Sequence, residues 1–165
     1  MRKFNSPSSG VTGRYCTDLD VNGDVTTSDG AVLEADNLHI TADNADLTTN
    51  VKDLSGNVTG SISVTDKGSI TVTGTLTAGE DVSIQAAENG NITVSGTIHA
   101  ANTFLRGAAK IIVTVKDTMG NLGVETSDRE DSSADIKLES CDRSQDINIT
   151  TPGEVRLTTT EADQI

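Results

Sequence analysis

The chain has 165 residues, a net charge of −13 at neutral pH and only three aromatic residues. This length suffices for one domain or one short repeat array. The negative charge argues against binding to nucleic acid, whose phosphates attract Lys and Arg, and against anionic membranes. No stretch is apolar enough to span a membrane, so we expect no membrane insertion.

Residues 1–14 carry three basic residues and no acid, and they are rich in Ser and Gly. We interpret them as a flexible basic arm. No apolar segment follows Met1, so no signal peptide is predicted. We therefore expect either a cytoplasmic protein or a mature part of a larger exported one.

Residues 15–37 are interpreted as an acidic N-terminal cap or loop region. Oxygen ligands at alternate positions around a glycine suit calcium, and this segment resembles the start of a dockerin or EF-hand loop. The predicted calcium ligands are Asp20, Asn22, Asp24 and Asp29, and no other cofactor is predicted. The last ligand of such a loop belongs at its twelfth position, whereas Asp29 falls at the tenth. The alternative is an acidic Asn-Gly turn between strands.

An internal repeat dominates the middle of the chain. Residues 69–90 and 91–112 match at eight positions, mostly within the phrase I-T-V-[TS]-G-T-[LI]-x-A. A fixed period of roughly 20 to 50 residues built from short alternating strands is typical of a solenoid. We therefore predict an all-β parallel β-helix with coils of about 22 residues over 38–158, followed by a frayed tail at 159–165.

Alternation within the repeat predicts which side chains face the core. The inward side chains expected to stack in adjacent coils are Ile70, Val72, Ile92 and Val94. Gly74 and Gly96 hold the same place in the two copies and are expected to mark a corner. The segment 103–106 breaks the alternation, 111–115 is expected to be buried throughout, and 127–135 is predicted to be a loop.

The two cysteines, Cys16 and Cys141, lie far apart in the sequence and have no C-x-x-C spacing. Neither histidine lies near them, which argues against a zinc site. We expect unpaired structural thiols, with one long-range or intermolecular disulfide as the alternative.

The string TLTAGEDVSIQAAENGNITVSGTIHA at 75–100 resembles the haemagglutinin-type β-helix repeats of large, filamentous bacterial secreted adhesins. The similarity is closest over 69–112 and looser over 38–68 and 134–158. It implies a right-handed parallel β-helix, an exported protein, and a role in adhesion or as a rod.

A second phrase, V-[TS]-G-[ST]-[IL]-x, occurs at 58–63, 72–77 and 94–99 and resembles bactofilins. That resemblance implies a cytoplasmic polymerising scaffold. A third class of β-helix acts on polysaccharides with clustered carboxylates and aromatic platforms. Here Asp66, Asp81 and Asp117 are expected to be loop acids without such platforms, and no nucleophile is paired with a base.

We therefore expect a non-enzymatic structural or adhesive module at the cell surface or outside the cell. It would be a subunit of a filament or a segment of a longer rod, with no catalytic residues. The expected partner is another copy of the chain, joined by head-to-tail stacking or strand addition, because solenoid ends expose unpaired strand edges.

Overall fold

The computed structural model describes residues 2–4, 12–141 and 144–159, with side chains from residue 18 onward. These residues form parallel strands stacked into a β-solenoid of about seven turns, which confirms the predicted fold class. None of them forms a helix long and apolar enough to cross a membrane. The predicted flexibility of residues 1–14 and fraying of 159–165 fall mostly outside the described residues.

The described part of the chain contains seventeen strands and one 3-10 turn, which follow one another in sequence. In order, they are β1 (Arg2–Phe4), β2 (Thr12–Asp20), β3 (Val25–Thr27), β4 (Leu33–Ala42), β5 (Ala45–Val58), β6 (Ile62–Asp66), β7 (Ile70–Val72), β8 (Thr75–Ala78), β9 (Asp81–Gln85), β10 (Asn91–Val94), β11 (Thr97–His99), β12 (Asn102–Arg106), β13 (Lys110–Val115), the 3-10 turn (Asp117–Met119), β14 (Asn121–Glu125), β15 (Ser133–Leu138), β16 (Ile147–Thr150) and β17 (Glu154–Thr159).

The strands stack in three columns, and every pairing within a column is parallel. Column A contains β1, β3, the start of β5, β6, β9, β12, β14 and β16. Column B contains the starts of β2 and β4, the middle of β5, and β7, β10, β13, β15 and β17. Column C contains the ends of β2, β4 and β5 and then β8 and β11.

The repeat sets the register where it is best preserved. Ile92 pairs with Ile70 and Val94 with Val72, 22 residues apart, and all four are buried. The predicted inward stack is confirmed. Elsewhere the spacing between paired residues runs from 16, for Leu38 with Leu54, to 25, for Leu122 with Ile147. Coil length varies because the corners between columns take up different numbers of residues.

Two expectations about strands in the second half of the repeat are wrong. Strand β12 keeps its alternation, with Thr103 buried and Phe104 39% exposed. The inward threonine is tolerated because its hydroxyl donates to the Met119 carbonyl at 2.8 Å. Strand β13 also alternates, so Ile112 faces outward and is 36% exposed rather than buried.

The predicted loop at 127–135 ends earlier than expected, at Ser132. Residues 133–135 belong to β15, which pairs with β13. A buried hydroxyl cluster anchors the shortened loop: Thr126 Oγ1 lies 3.0 Å from Ser132 Oγ and 2.7 Å from Thr151 Oγ1. These buried hydroxyls form hydrogen bonds with one another. The charged composition of the loop gives no sign of this cluster in the sequence.

The parallel ladder also starts before residue 38, where the sequence placed the start of the solenoid. Strand β2 pairs with β4, and β3 pairs with β5, so much of 15–37 lies within stacked coils. Within the basic arm, β1 pairs with β3 of the same chain. The apolar residues Leu19, Val21 and Val25 of this first coil are at most 6% exposed.

Candidate functional site

The predicted calcium ligands lie around the turn between β2 and β3. Asp20 ends β2, Asp24 directly precedes β3, and Asp29 lies in the turn before β4. Asp24 Oδ1 accepts a hydrogen bond from Asn44 Nδ2 at 2.9 Å. No group of three or more His, Cys, Asp or Glu side chains converges for metal binding among the described residues. The calcium site therefore stays a prediction, with Asp24 already engaged by an amide of the next coil.

A polar ladder occupies the corner that leads into column A. Asn102 Nδ2 donates to Asp81 Oδ1 at 2.8 Å, and Asn121 Nδ2 donates to Asn102 Oδ1 at 3.2 Å. The Asp24–Asn44 contact is the same arrangement in earlier coils. Sequence reasoning missed it, although an Asp or Asn at the first residue of a column A strand or directly before it, at successive coil spacings, is a usable signal. The ladder satisfies side chains at the corner and holds successive coils in register.

Asp66 is the most deeply buried acid of the described residues, at 2% exposure. Its Oδ2 accepts hydrogen bonds from the Thr49 hydroxyl at 2.7 Å and the Val51 amide at 2.9 Å, and its Oδ1 accepts one from the Gly68 amide at 2.9 Å. The expectation that Asp66 is a solvated loop acid is therefore wrong. This carboxylate closes the corner between columns A and B, and its burial keeps it away from any external substrate.

One groove, of about 310 Å³, lies on the outside of column C. Asp18, His39 and Ser55 are register neighbours there in three successive coils. His39 Nδ1 lies 2.9 Å from Ser55 Oγ. None of the ion pairs among the described residues involves His39, so the carboxylate that orients the base in a Ser-His-Asp triad is not in contact. The sequence did not suggest this pair, because its members are 16 residues apart.

The last coil exposes the end of the hydrophobic core. Val155 pairs with Ala134 and Leu157 with Ile136, so both continue inward rows. Ala134 and Ile136 are at most 1% exposed, whereas Val155 is 44% and Leu157 58% exposed. No strand pairs with the outer edge of β17 from Glu154 to Thr158 among the described residues. This surface, formed by β17 and the inward side chains of its coil, is called the C-terminal edge below.

Cys141 is a free, half-buried thiol near this end. Burial raises the pKa of its thiol, and the negative charge of Asp117 raises it further. Cys16 lies in β2 at the other end of the array. At least five coils of about 4.8 Å separate the two backbones, which is beyond disulfide reach within one chain.

The chain matches no protein-family model, and no curated protein or solved structure matches it significantly.

Proposed function

We propose that the chain is a non-enzymatic structural or adhesive module, a segment of an extracellular filament or of a longer surface rod. The observation that carries this proposal is the C-terminal edge, where no described residue covers the end of the core. Exposed apolar side chains beside an unpaired strand edge are typical of a surface that another strand covers. A solenoid that continues across such a surface becomes a longer rod.

The chemistry of the described side chains supports a non-catalytic role. Asp66 is sequestered by three hydrogen bonds, so it is unavailable as a general acid. Phe104 is the exposed aromatic side chain of the described region, and a sugar platform needs more than one such ring. Among the residues that the structure describes, no carboxylate forms an ion pair with His39 beside Ser55. These features favour a surface that binds or extends over one that cleaves polysaccharide.

Antibody labelling of cells that make the protein tests the location. An extracellular module is labelled on intact cells, whereas the alternative, a bactofilin-like cytoplasmic scaffold, is labelled only after permeabilisation. Electron microscopy of the purified full-length protein then tests assembly, with rods of one solenoid width that are longer than a single copy expected. Release of reducing ends from a panel of polysaccharides would contradict the non-enzymatic proposal and favour a catalytic β-helix.

A further inference from the structure

We propose that the C-terminal edge binds the same edge of a second copy, with the two β17 strands antiparallel, to give a closed two-fold dimer. This inference rests on the proposed structural role and names the partner and the geometry of that contact. It rests on three observations: the unfinished core rows, the difference between the two ends, and the charge pattern of β17.

The inward rows of column B, which end at the exposed Val155 and Leu157, provide the apolar contact. In column B, Ile111 and Val113 are covered by Ala134 and Ile136 of the next coil, and those by Val155 and Leu157. Nothing among the described residues covers that last pair, so their exposure is much greater than that of the preceding rows. A strand added to β17 would bury both side chains and satisfy the backbone groups along its edge.

The two ends of the solenoid differ, which favours pairing of like ends. At the N-terminal end, β1 pairs with β3, and Leu19, Val21 and Val25 are buried. The described side chains at that end include the exposed carboxylates Asp18 and Asp20. Head-to-tail stacking would place the apolar C-terminal edge against this acidic end. Contact between two C-terminal edges instead places apolar surface on apolar surface, and a two-fold contact closes at the dimer.

The charges on β17 select one register. Glu154 and Arg156 flank Val155 on the outward face, and their present ion pair, 3.3 Å long, joins two largely exposed side chains. When two strands pair antiparallel about Val155, Glu154 of each copy lies opposite Arg156 of the other, twice. Pairing about Arg156 would place the two guanidinium groups together, and like charges directly opposite are unfavourable. In the favoured register Leu157 lies opposite Gly153, where no side chain competes for space.

Sedimentation velocity of the full-length protein over a wide concentration range tests this contact. A monomer–dimer equilibrium without larger species is expected. Arg156→Glu and Glu154→Arg each place like charges opposite one another, so each variant alone should weaken the dimer at least tenfold. An equimolar mixture of the two restores both opposite-charge pairs and should form a heterodimer. Lys52→Glu and Glu88→Arg are the matched charge changes on distant coils and should dimerise like the wild type.

Leu157→Lys, at a position already exposed, should also give a folded monomer, with circular dichroism checking the fold. A monomeric wild type overturns the proposal, as does a dimer whose affinity the β17 substitutions leave unchanged. A wild-type monomer that dimerises once residues 160–165 are removed would show that the chain's own tail occupies the edge, which also overturns it. Open-ended oligomers overturn the closed dimer yet support the proposed filament, so the two proposals fail separately.

Discussion

At the scale of single residues, removal of the buried carboxylate of Asp66 should lower the free energy of unfolding by a large amount for so small a side chain. Asp66→Ala leaves the Thr49 hydroxyl and the Val51 amide without their acceptor. Each buried group left unpaired costs about 1–3 kcal/mol, so we expect a marked loss in the free energy of unfolding, measured by urea denaturation. Asp66→Asn keeps one acceptor oxygen, so its free energy of unfolding should lie between those of the wild type and Asp66→Ala.

The exposed Asp46→Ala is the matched control, since surface substitutions usually change stability by about 0.5 kcal/mol or less. Equal midpoints for Asp66→Ala and Asp46→Ala would mean that the hydrogen bonds around Asp66 do not stabilise the fold.

The predicted calcium site is also tested at this scale. If Asp20, Asn22, Asp24 and Asp29 bind calcium, the ion should raise the melting temperature, because a ligand that binds only the folded state stabilises it. Asp20→Ala should abolish that shift. It is a cleaner change than Asp24→Ala, because Asp24 also holds Asn44 of the next coil. If calorimetry detects no heat of binding and the melting temperature is unchanged at millimolar calcium, the segment is an acidic turn and not a calcium site.

The repeat glycines Gly74 and Gly96 look equivalent in sequence but differ in space. A Cβ added at Gly96 would clash with the backbone carbonyl of Gly74, whereas one at Gly74 would meet only Ser55 Cβ at 3.6 Å. Gly96→Ala should therefore lower stability by about 1–3 kcal/mol, as overpacking does, while Gly74→Ala should be nearly neutral. Thermal denaturation of both variants distinguishes the two positions, and equal melting temperatures would refute this close approach of the coils.

At the scale of the strands, the inward rows carry the stability of the array. Val94 is 1% exposed and lies between Val72 and Val113 in adjacent coils. Val94→Asp would bury a carboxylate without a partner, and we expect a loss of about 4 kcal/mol or more. The variant should be unfolded or strongly destabilised by circular dichroism. Ser95→Asp, on the exposed neighbouring position, is the control, and a Val94→Asp variant as stable as it would refute the register.

Strand alternation was predictable wherever apolar residues at inward positions alternated with polar residues at outward positions. It failed at Thr103, because an inward hydroxyl can be satisfied by a carbonyl of the next coil. It failed again at Ile112, because an apolar side chain can also stand on the outer face. A local pattern reports what a side chain prefers, whereas its actual direction follows from the strands on either side.

At the scale of the whole molecule, we expect the two ends to decide how copies associate. Removing residues 1–11 deletes β1 and leaves β3 without its partner at the N-terminal end. We expect a lower melting temperature and, because the edge of β3 becomes free to pair with another copy, oligomers larger than dimers in sedimentation velocity. An unchanged melting temperature and an unchanged association state would show that β1 does not protect this end.

The sequence by itself determined the fold class and the inward rows of the best repeat, because alternation and a 22-residue copy are local properties. It also located the corner at Gly74 and Gly96. Only the tertiary structure decided that Asp66 is buried, that one repeat glycine is crowded, that His39 meets Ser55, and that no described residue covers the C-terminal end. Each of these depends on which residues of neighbouring coils become adjacent. The coil spacing varies from 16 to 25 residues, so a single period cannot specify those contacts.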